Sequence, residues 1–244
     1  LLMSRPKERQ IDAVKVKNPE LTKIVSVAEG DVQGVFNKDK TVEVFAGIPY
    51  AKPPVGELRW QAPKPAEKYS GVRICDKFAP MAMQVRSGSI RAFGSSIIGY
   101  GELPISLHDN YLEAMSEDCL YLNVWRPAGA KEGDNLPVLF YVHGGSLNSG
   151  QSYWESYNGE KLASQGIVVV NIAYRVGVFG YLADEELAGE SANGTTGNYG
   201  LLDQIQALKW VNENIASFGG DASNITIAGE SAGSSSVNAL CVSP

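Results

Sequence analysis

The sequence Ile225-Thr-Ile-Ala-Gly-Glu-Ser-Ala-Gly233 decides how the rest of the chain is interpreted. Its apolar, β-branched beginning predicts a buried strand, and the strand ends at a Gly-x-Ser-x-Gly pattern. Gly229 and Gly233 lack the Cβ atoms that would collide in a sharp reversal from strand to helix. The pattern therefore predicts a tight turn with Ser231 at its apex.

A Gly-x-Ser-x-Gly pattern is weak evidence by itself, because ordinary loops are rich in glycine and serine. A second glycine-rich sequence, His143-Gly-Gly-Ser146, follows another apolar run further upstream. Two such turns, each at the end of a predicted buried strand, favour an acyl-transfer site over an ordinary loop.

The composition is that of a soluble globular protein and excludes several classes of partner. The chain has 244 residues, a formal net charge of -6, 44% hydrophobic residues and 20% charged residues. An acidic chain without a cluster of basic and aromatic residues is not expected to bind nucleic acid. No apolar run is long enough to span a bilayer, so we expect no membrane span.

The three cysteines predict neither a disulfide framework nor a zinc site. Cys75, Cys119 and Cys241 are few, odd in number and without Cys-x-x-Cys spacing. We therefore expect unreactive thiols.

The amino-terminal third predicts short antiparallel strands followed by a rigid connector. Residues 21–27 and 41–45 are rich in β-branched side chains and are separated by turn residues, which indicates a small antiparallel sheet. Five prolines within residues 48–66 prevent regular helix and central strand. Residues 81–115 have no clear period and are expected to form a long functional loop or flap that contains His108.

The remaining pattern predicts an α/β fold. Residues 136–142 and 167–174 are nearly continuous apolar runs, which are typical of strands covered on both faces in a mostly parallel sheet. Residues 201–218 repeat apolar side chains every three or four positions and end at Gly219-Gly220, which predicts an amphipathic crossover helix. Strand, helix and strand in this order imply a right-handed parallel crossover.

A serine at such a turn needs a general base and a site for the negative charge that develops on the attacked carbonyl. The backbone N–H groups of Gly145, Ser146 and Ala232 are the candidates for that oxyanion hole, since they lie in the two glycine-rich turns. The chemistry requires no metal or organic cofactor.

Several further motifs occur in a consistent order along the chain. They are residues 45–60 (FAGIPYAKPPVGELRW), 116–124 (SEDCLYLNV), 174–180 (YRVGVFG), 197–204 (GNYGLLDQ) and 214–221 (NIASFGGD). Together with the turn at 229–233, this set resembles the type-B carboxylesterases, the cholinesterase-like branch of the α/β-hydrolases. The resemblance begins near Val25 and continues to the end of the chain.

The resemblance implies an α/β-hydrolase fold, with a mostly parallel central sheet, helices on both faces and a small amino-terminal antiparallel sheet. It also implies that Ser231 is the acyl-ester nucleophile and that Gly145, Ser146 and Ala232 form the oxyanion hole. Gly144 would shape the same turn, and His143 would be structural. The expected substrate is a small-molecule ester.

One departure from the family pattern concerns the catalytic triad. The family places its acid and its histidine well downstream of the nucleophile, whereas this chain ends at Pro244. His108 precedes the nucleophile at a position that the family does not use, so a solvent-exposed loop histidine is the alternative to a catalytic base there. We therefore expect residues 1–244 to be the amino-terminal portion of a single α/β-hydrolase domain. The carboxy-terminal half would be a second chain, or the chain would be a truncated product.

A second departure concerns a disulfide. Family members often pair a cysteine at the position of Ala82 with the one at Cys119, and Ala82 prevents that bridge here. Cys75 is a remote substitute. We expect a reducing, cytoplasmic location, with secretion as the alternative.

The resemblance also suggests structural ion pairs between Arg59 and Glu117 and between Arg175 and Asp203. Glu230 is expected to orient the turn through hydrogen bonds rather than to tune its electrostatics. The aromatic residues at 153, 154 and 157 would either line a pocket or pack in the core.

Two classes of function remain open at this point. The leading hypothesis is a serine esterase that acts through an acyl-enzyme on Ser231. The alternative is a non-catalytic esterase-like binding or adhesion protein, or an inactive fragment. Retention of Ser231 between its glycines favours the enzyme.

Overall fold

Strands dominate the computed structural model, which describes residues 7–85, 105–106, 111–191 and 194–243. In chain order the strands are β1 (Lys7–Arg9), β2 (Leu21–Val27), β3 (Gly30–Phe36), β4 (Val42–Pro49), β5 (Val72–Ile74), β6 (Met81–Ala82), β7 (Ile105–Ser106), β8 (Tyr111–Glu113), β9 (Met115–Ser116), β10 (Tyr121–Pro127), β11 (Leu136–Val142), β12 (Val168–Ile172) and β13 (Gly220–Gly229).

Helices in the described residues are short, except for one. They are α1 (Glu160–Ala163), α2 (Gly177–Tyr181), α3 (Glu185–Glu190), α4 (Tyr199–Asn214) and α5 (Ala232–Cys241), with 3₁₀ turns at Gly56–Leu58, Glu155–Tyr157 and Ile215–Phe218.

Eight strands form one central sheet in the order β13-β11-β12-β10-β4-β3-β2, with β5 paired to β3. Strands β13, β11 and β12 are parallel to one another. Strand β10 is antiparallel to β12 and to β4, and β2, β3 and β4 continue the sheet as antiparallel neighbours. The predicted α/β class is confirmed.

Two details of the predicted sheet differ. The sheet is mixed rather than mostly parallel, and the antiparallel strands β2, β3 and β4 belong to it rather than to a separate small sheet. The reason is the long ladder between β4 and β10, whose paired positions run from Val42 opposite Pro127 to Pro49 opposite Tyr121. This ladder joins the amino-terminal strands edge to edge with the parallel ones.

Strand β12 shows how the sheet is covered on both faces. All five of its residues are buried. Val168, Val170 and Ile172 belong to a core that includes Trp210 and Phe218, whereas Val169 belongs to a second core that includes Ala163 of α1. Because successive side chains of a strand point to opposite faces, α4 and α1 lie on opposite sides of the sheet.

The crossover helix is confirmed, but the face that it buries is more polar than its apolar repeat indicates. Leu201, Ile205 and Leu208 are only partly buried, whereas Asp203 and Gln204 are fully buried. The helix ends at Asn214, a 3₁₀ turn follows, and Gly219 terminates it with φ 88°. Polar side chains can occupy the buried face because partners on other elements bind them.

The expected flap at residues 81–115 is described only in part. Strand β6 at its beginning pairs in parallel with β9 at its end, and β7 and β8 pair within it. His108 lies outside the described residues, so its expected role stays a prediction.

Two ion pairs between described residues are buried. Arg175 directs Nε and Nη2 to the two carboxylate oxygens of Asp203, each at 2.8 Å, and its backbone N–H donates to Oδ2 at 3.1 Å. Arg126 of β10 pairs with Glu43 of β4 across the ladder. The Arg175–Asp203 pair confirms the ion pair that the family resemblance suggested. The Arg126–Glu43 pair was not predicted.

The expected pair between Arg59 and Glu117 is also present, with two contacts of 2.6 Å at a more exposed position. All three cysteines are free, and Cys75 and Cys119 are buried. No helix in the described part of the chain is both long and apolar enough to cross a membrane.

We predict that Asp203→Asn lowers the free energy of unfolding by about 3–5 kcal/mol, because it leaves the buried Arg175 guanidinium without a counter-charge. Urea denaturation followed by circular dichroism would measure this loss. Glu67→Gln is the matched control, because its ion pair with Lys52 is exposed and is expected to contribute no measurable stability. Equal effects of the two substitutions would contradict the prediction.

Candidate active site

The predicted turn lies between β13 and α5 and has Ser231 at its apex. Ser231 has φ 54° and ψ −122°, a conformation that is unfavourable for any residue with a Cβ. Its side chain does not cap the helix that begins at the next residue, and it is exposed. The serine hydroxyl is therefore presented to solvent at the first turn of a ten-residue helix.

The two flanking glycines are required by close backbone approach. A Cβ on Gly229 would lie 2.5 Å from the carbonyl carbon and oxygen of Gly233, and one on Gly233 would overlap the carbonyl oxygen of Val142 at the end of β11. These contacts confirm the steric argument made from the sequence. They also pack the start of α5 directly against the end of the neighbouring strand.

The loop after β11 lies beside this turn. A Cβ on Gly144 would lie 3.0 Å from the Cβ of Ser231 and 2.7 Å from the carbonyl oxygen of Glu230. Gly145 has φ 115°, and Ser146 and Leu147 have φ 55° and 58°. The structure therefore brings both glycine-rich turns together, as the sequence predicted.

Some amides of the two turns donate within the turns, whereas three of them have no acceptor among the described residues. The carbonyl oxygen of Gly145 accepts hydrogen bonds from Asn148 N and Ser149 N at 3.0 and 3.1 Å, which closes the loop on itself. No hydrogen bond from the N–H groups of Gly145, Ser146 or Ala232 to any described residue is present. Whether these three amides act on one oxyanion stays a prediction.

His143 is buried in the same loop. Its ring stacks on Tyr174 with centroids 4.4 Å apart, and its Nδ1 lies 2.8 Å from the carbonyl oxygen of Gly144. Since a carbonyl can only accept, Nδ1 carries the proton in this contact. Burial lowers the pKa of His143 to about 4, although the hydrogen bond to the Gly144 carbonyl acts in the opposite direction. The ring is therefore neutral at physiological pH and holds the loop.

Four hydrogen bonds anchor this loop and were missed by sequence reasoning. Gln84 forms a two-way amide pair with the backbone of Gly150, with distances of 2.8 and 2.9 Å. Tyr174 Oη donates to the carbonyl oxygen of His143 at 2.8 Å. Gly177 N donates to the carbonyl oxygen of Leu147 at 2.6 Å. No local pattern signals the first of these, since its partners are 66 residues apart.

Glu230 lies between the two turns. A Cβ on Gly144 would be 2.5 Å from its Oε2, so its carboxylate packs on the glycine-rich loop. This position fits a role in orienting the turn. In the described ranges, no group of three or more histidine, cysteine or acidic side chains is arranged to hold a metal ion.

The sheet order, the strained serine and the glycine-rich loop beside it define an α/β-hydrolase. A model of the carboxylesterase family matches residues 21–244, and the chain belongs to that family. It is 42% identical over 235 residues to the fumonisin B1 esterase of Sphingopyxis macrogoltabida. That match covers 95% of this chain and 38% of that protein.

Two further comparisons agree. A cocaine esterase of Oryctolagus cuniculus is 42% identical over 216 residues, covering 88% of this chain and 37% of that protein. A solved PNB esterase superposes with a TM-score of 0.75 at 38% identity, covering 91% of this chain and 41% of that one. The chain thus spans about two fifths of the length of these relatives.

We predict that Gly233→Ala destabilises the protein by at least about 2 kcal/mol, because the new methyl group would overlap backbone that cannot rotate away. Chemical denaturation would measure the loss. Gly189→Ala is the matched control, since a Cβ there would meet no described atom within 4 Å and alanine favours the helix. A neutral Gly233→Ala would show that the close approach is wrong.

We predict that His143 makes stability fall as the pH decreases from about 6.5 to about 4. In this range the unfolded chain binds a proton at the histidine, whereas the folded protein does not. The loss attributable to this group is roughly 3 kcal/mol. Urea denaturation at several pH values would show a smaller loss for His143→Gln than for the unaltered protein.

The range between pH 7.5 and 9 serves as the internal control, because the ring is neutral in both states there. Parallel stability curves of the two proteins down to pH 4 would contradict the lowered pKa.

Proposed function

We propose that the protein hydrolyses carboxylic esters through an acyl-enzyme formed on Ser231. The Ser231 oxygen attacks the ester carbonyl carbon, the alcohol leaves, and water then releases the acid and restores the serine. The observation that carries the proposal is the exposed hydroxyl of Ser231 at a strained turn, directly beside the loop at Gly144.

Gly145, Ser146 and Ala232 would stabilise the oxyanion of the tetrahedral intermediate. Two properties support this role: their N–H groups have no acceptor in the described part of the chain, and Ala232 begins a helix whose N-terminus favours negative charge. Hydrogen bonds of this type strengthen as charge develops on the carbonyl oxygen. They would therefore stabilise the transition state more than the bound ester.

The general base is not His143. Its ring is buried, its pKa is near 4, and its Nδ1 donates to its neighbour's carbonyl. We propose that the triad acid and histidine belong to a carboxy-terminal portion of the same hydrolase domain, of which residues 1–244 are the amino-terminal portion.

The partly exposed apolar side chains of β13 support the proposal that a carboxy-terminal portion packs on this strand. Among the described strands, β13 pairs only with β11, and its Ile225 and Ile227 are partly exposed. The partner residues of Ile225 and Ile227 on β11, Val138 and Phe140, are buried. Further polypeptide packed on β13 would bury its apolar side chains. Its presence as a second chain, rather than as a continuation, stays a prediction.

The proposed substrate is a small-molecule carboxylic ester. The relatives named above are described as esterases of fumonisin B1 and of cocaine, which supports this class without selecting an acyl or alcohol group. A non-catalytic binding protein would have no need of an exposed serine in a strained conformation, so hydrolysis is the better supported function.

We also propose a cytoplasmic location. Cys75 and Cys119 are buried free thiols, and burial raises the pKa of Cys75 to about 12 and that of Cys119 further still. Ala82 offers no partner for a disulfide. This set of unpaired thiols is typical of a reducing compartment.

We predict that a fluorophosphonate modifies Ser231 stoichiometrically in the intact protein that contains the carboxy-terminal portion. Ser231→Ala should abolish both the labelling and the hydrolysis of p-nitrophenyl acetate, because no other nucleophile occupies the turn. Intact-mass spectrometry and a colorimetric assay would measure the two effects. Residues 1–244 alone should hydrolyse the ester no faster than Ser231→Ala.

Ser234→Ala is the matched control, because Ser234 is an exposed serine of the helix that follows Ser231. It should label and turn over normally. Full activity of Ser231→Ala would refute the proposed nucleophile.

A further inference from the structure

The side chain of Gln84 binds the end of the glycine-rich loop that is furthest from β11. Its Oε1 accepts a hydrogen bond from Gly150 N at 2.9 Å, and its Nε2 donates to the carbonyl oxygen of Gly150 at 2.8 Å. Both polar backbone groups of Gly150 are therefore bound by one side chain. Two hydrogen bonds of this kind fix the orientation of a residue as well as its position.

Gln84 is itself held in place. Its Nε2 also donates to the carbonyl oxygen of Ala82 at 3.1 Å, and its backbone N donates to the sulfur of Met115 at 3.4 Å. Ala82 ends β6, and β6 pairs with β9, which contains Met115. The Gln84 amide therefore reaches Gly150 from a strand pair rather than from an unsupported segment.

Gly150 packs directly against the residues that begin the loop. It has φ 118°, and a Cβ there would overlap the carbonyl oxygen of Gly144 and Nδ1 of His143. Gly144 in turn lies against Ser231, since a Cβ on Gly144 would be 3.0 Å from the Cβ of the serine. A displacement of Gly150 would thus be felt at the loop residues beside the nucleophile.

The residues between these two ends are strained. Ser146 and Leu147 both have positive φ, at 55° and 58°, although neither is glycine. Such conformations cost energy and persist only where the surrounding structure enforces them. The loop that carries the N–H groups of Gly145 and Ser146 therefore depends on contacts from outside it, and the Gln84 amide supplies two of them.

We propose that Gln84 is a positioning residue for the oxyanion hole. Through the backbone of Gly150 it keeps the N–H groups of Gly145 and Ser146 directed at the carbonyl oxygen of the ester. The inference rests on the proposed hydrolysis at Ser231. Since hydrogen bonds to the oxyanion are strongest in the transition state, loss of Gln84 should slow turnover without weakening the binding of the ester.

Gln84→Met keeps the length of the side chain and removes both hydrogen bonds to Gly150. In the intact protein that contains the carboxy-terminal portion, kcat and kcat/KM for p-nitrophenyl acetate should fall equally, by about ten- to a hundredfold. Rates are expressed per serine labelled by a fluorophosphonate at the end point, so that unfolded protein does not count. Gln33→Met is the matched control and should leave kcat unchanged, because the Gln33 amide donates to the carbonyl oxygen of Thr22, away from the loop.

A trifluoromethyl ketone provides a readout that lost stability alone would not change. The Ser231 oxygen adds to the ketone carbon, its proton passes to the general base, and the former carbonyl oxygen becomes an oxyanion, as in the reaction with an ester. Such an adduct resembles the transition state. The inhibition constant of 1,1,1-trifluorododecan-2-one should therefore rise in Gln84→Met by the same factor by which kcat/KM falls.

Gln84→Glu is a second variant that keeps the proposal testable if Gln84→Met does not fold. Its carboxylate can accept from Gly150 N but repels the carbonyl oxygen of Gly150, whereas the protonated acid regains a donor. Its kcat, relative to that of the unaltered protein at the same pH, should rise as the pH falls from about 8 to about 5. His143, which contacts Gly150, stays neutral over this range.

Three results would overturn the inference without touching the proposed hydrolysis. They are an unchanged kcat and inhibition constant in Gln84→Met, an equal loss of kcat in Gln33→Met, and a relative kcat of Gln84→Glu that does not vary with pH. In each case Ser231→Ala would still be inactive. Full activity of Ser231→Ala, by contrast, would refute the proposed function itself.

Discussion

The close approach of Gly233 to the carbonyl oxygen of Val142 is the contact on which the site depends. It brings the first turn of α5 against the end of β11, so the residues that follow β11 and those that follow β13 lie side by side. Ser231 and the loop at Gly144 are neighbours for that reason. The strained conformation of Ser231 is the local cost of the same reversal.

Two buried ion pairs connect elements at opposite ends of the central strands. Arg175 follows β12 and binds Asp203 of α4, and it also donates to the carbonyl oxygen of Gln61 in the proline-rich connector. At the other end, Arg126 and Glu43 join β10 to β4. Each pair ties segments that are distant in sequence. Removal of one partner from either pair would leave an uncompensated buried charge, which is strongly destabilising.

Local patterns predicted what depends on neighbouring residues. The bounds of β11 and the steric roles of Gly229 and Gly233 follow from composition and from the absence of a Cβ, and the structure agrees with both. The edge-to-edge junction of β4 with β10 could not be predicted in this way, because strand pairing depends on partners far apart in the chain.

Partners that are far apart in the chain also explain the other differences between the predicted and the observed structure. Asp203 and Gln204 are buried on α4 because Arg175 and Ser236 bind them, and nothing in the helical repeat encodes those partners. The family resemblance correctly predicted the Arg59–Glu117 and Arg175–Asp203 ion pairs, which residue spacing alone does not indicate.

The amide pair between Gln84 and Gly150 makes two segments one mechanical unit. Neither can shift alone without breaking two hydrogen bonds at once. A change in the chain near residue 84 would thus be transmitted to the glycine-rich loop at the serine. Substitutions near Gln84 would therefore alter the geometry of the loop beside Ser231 as well.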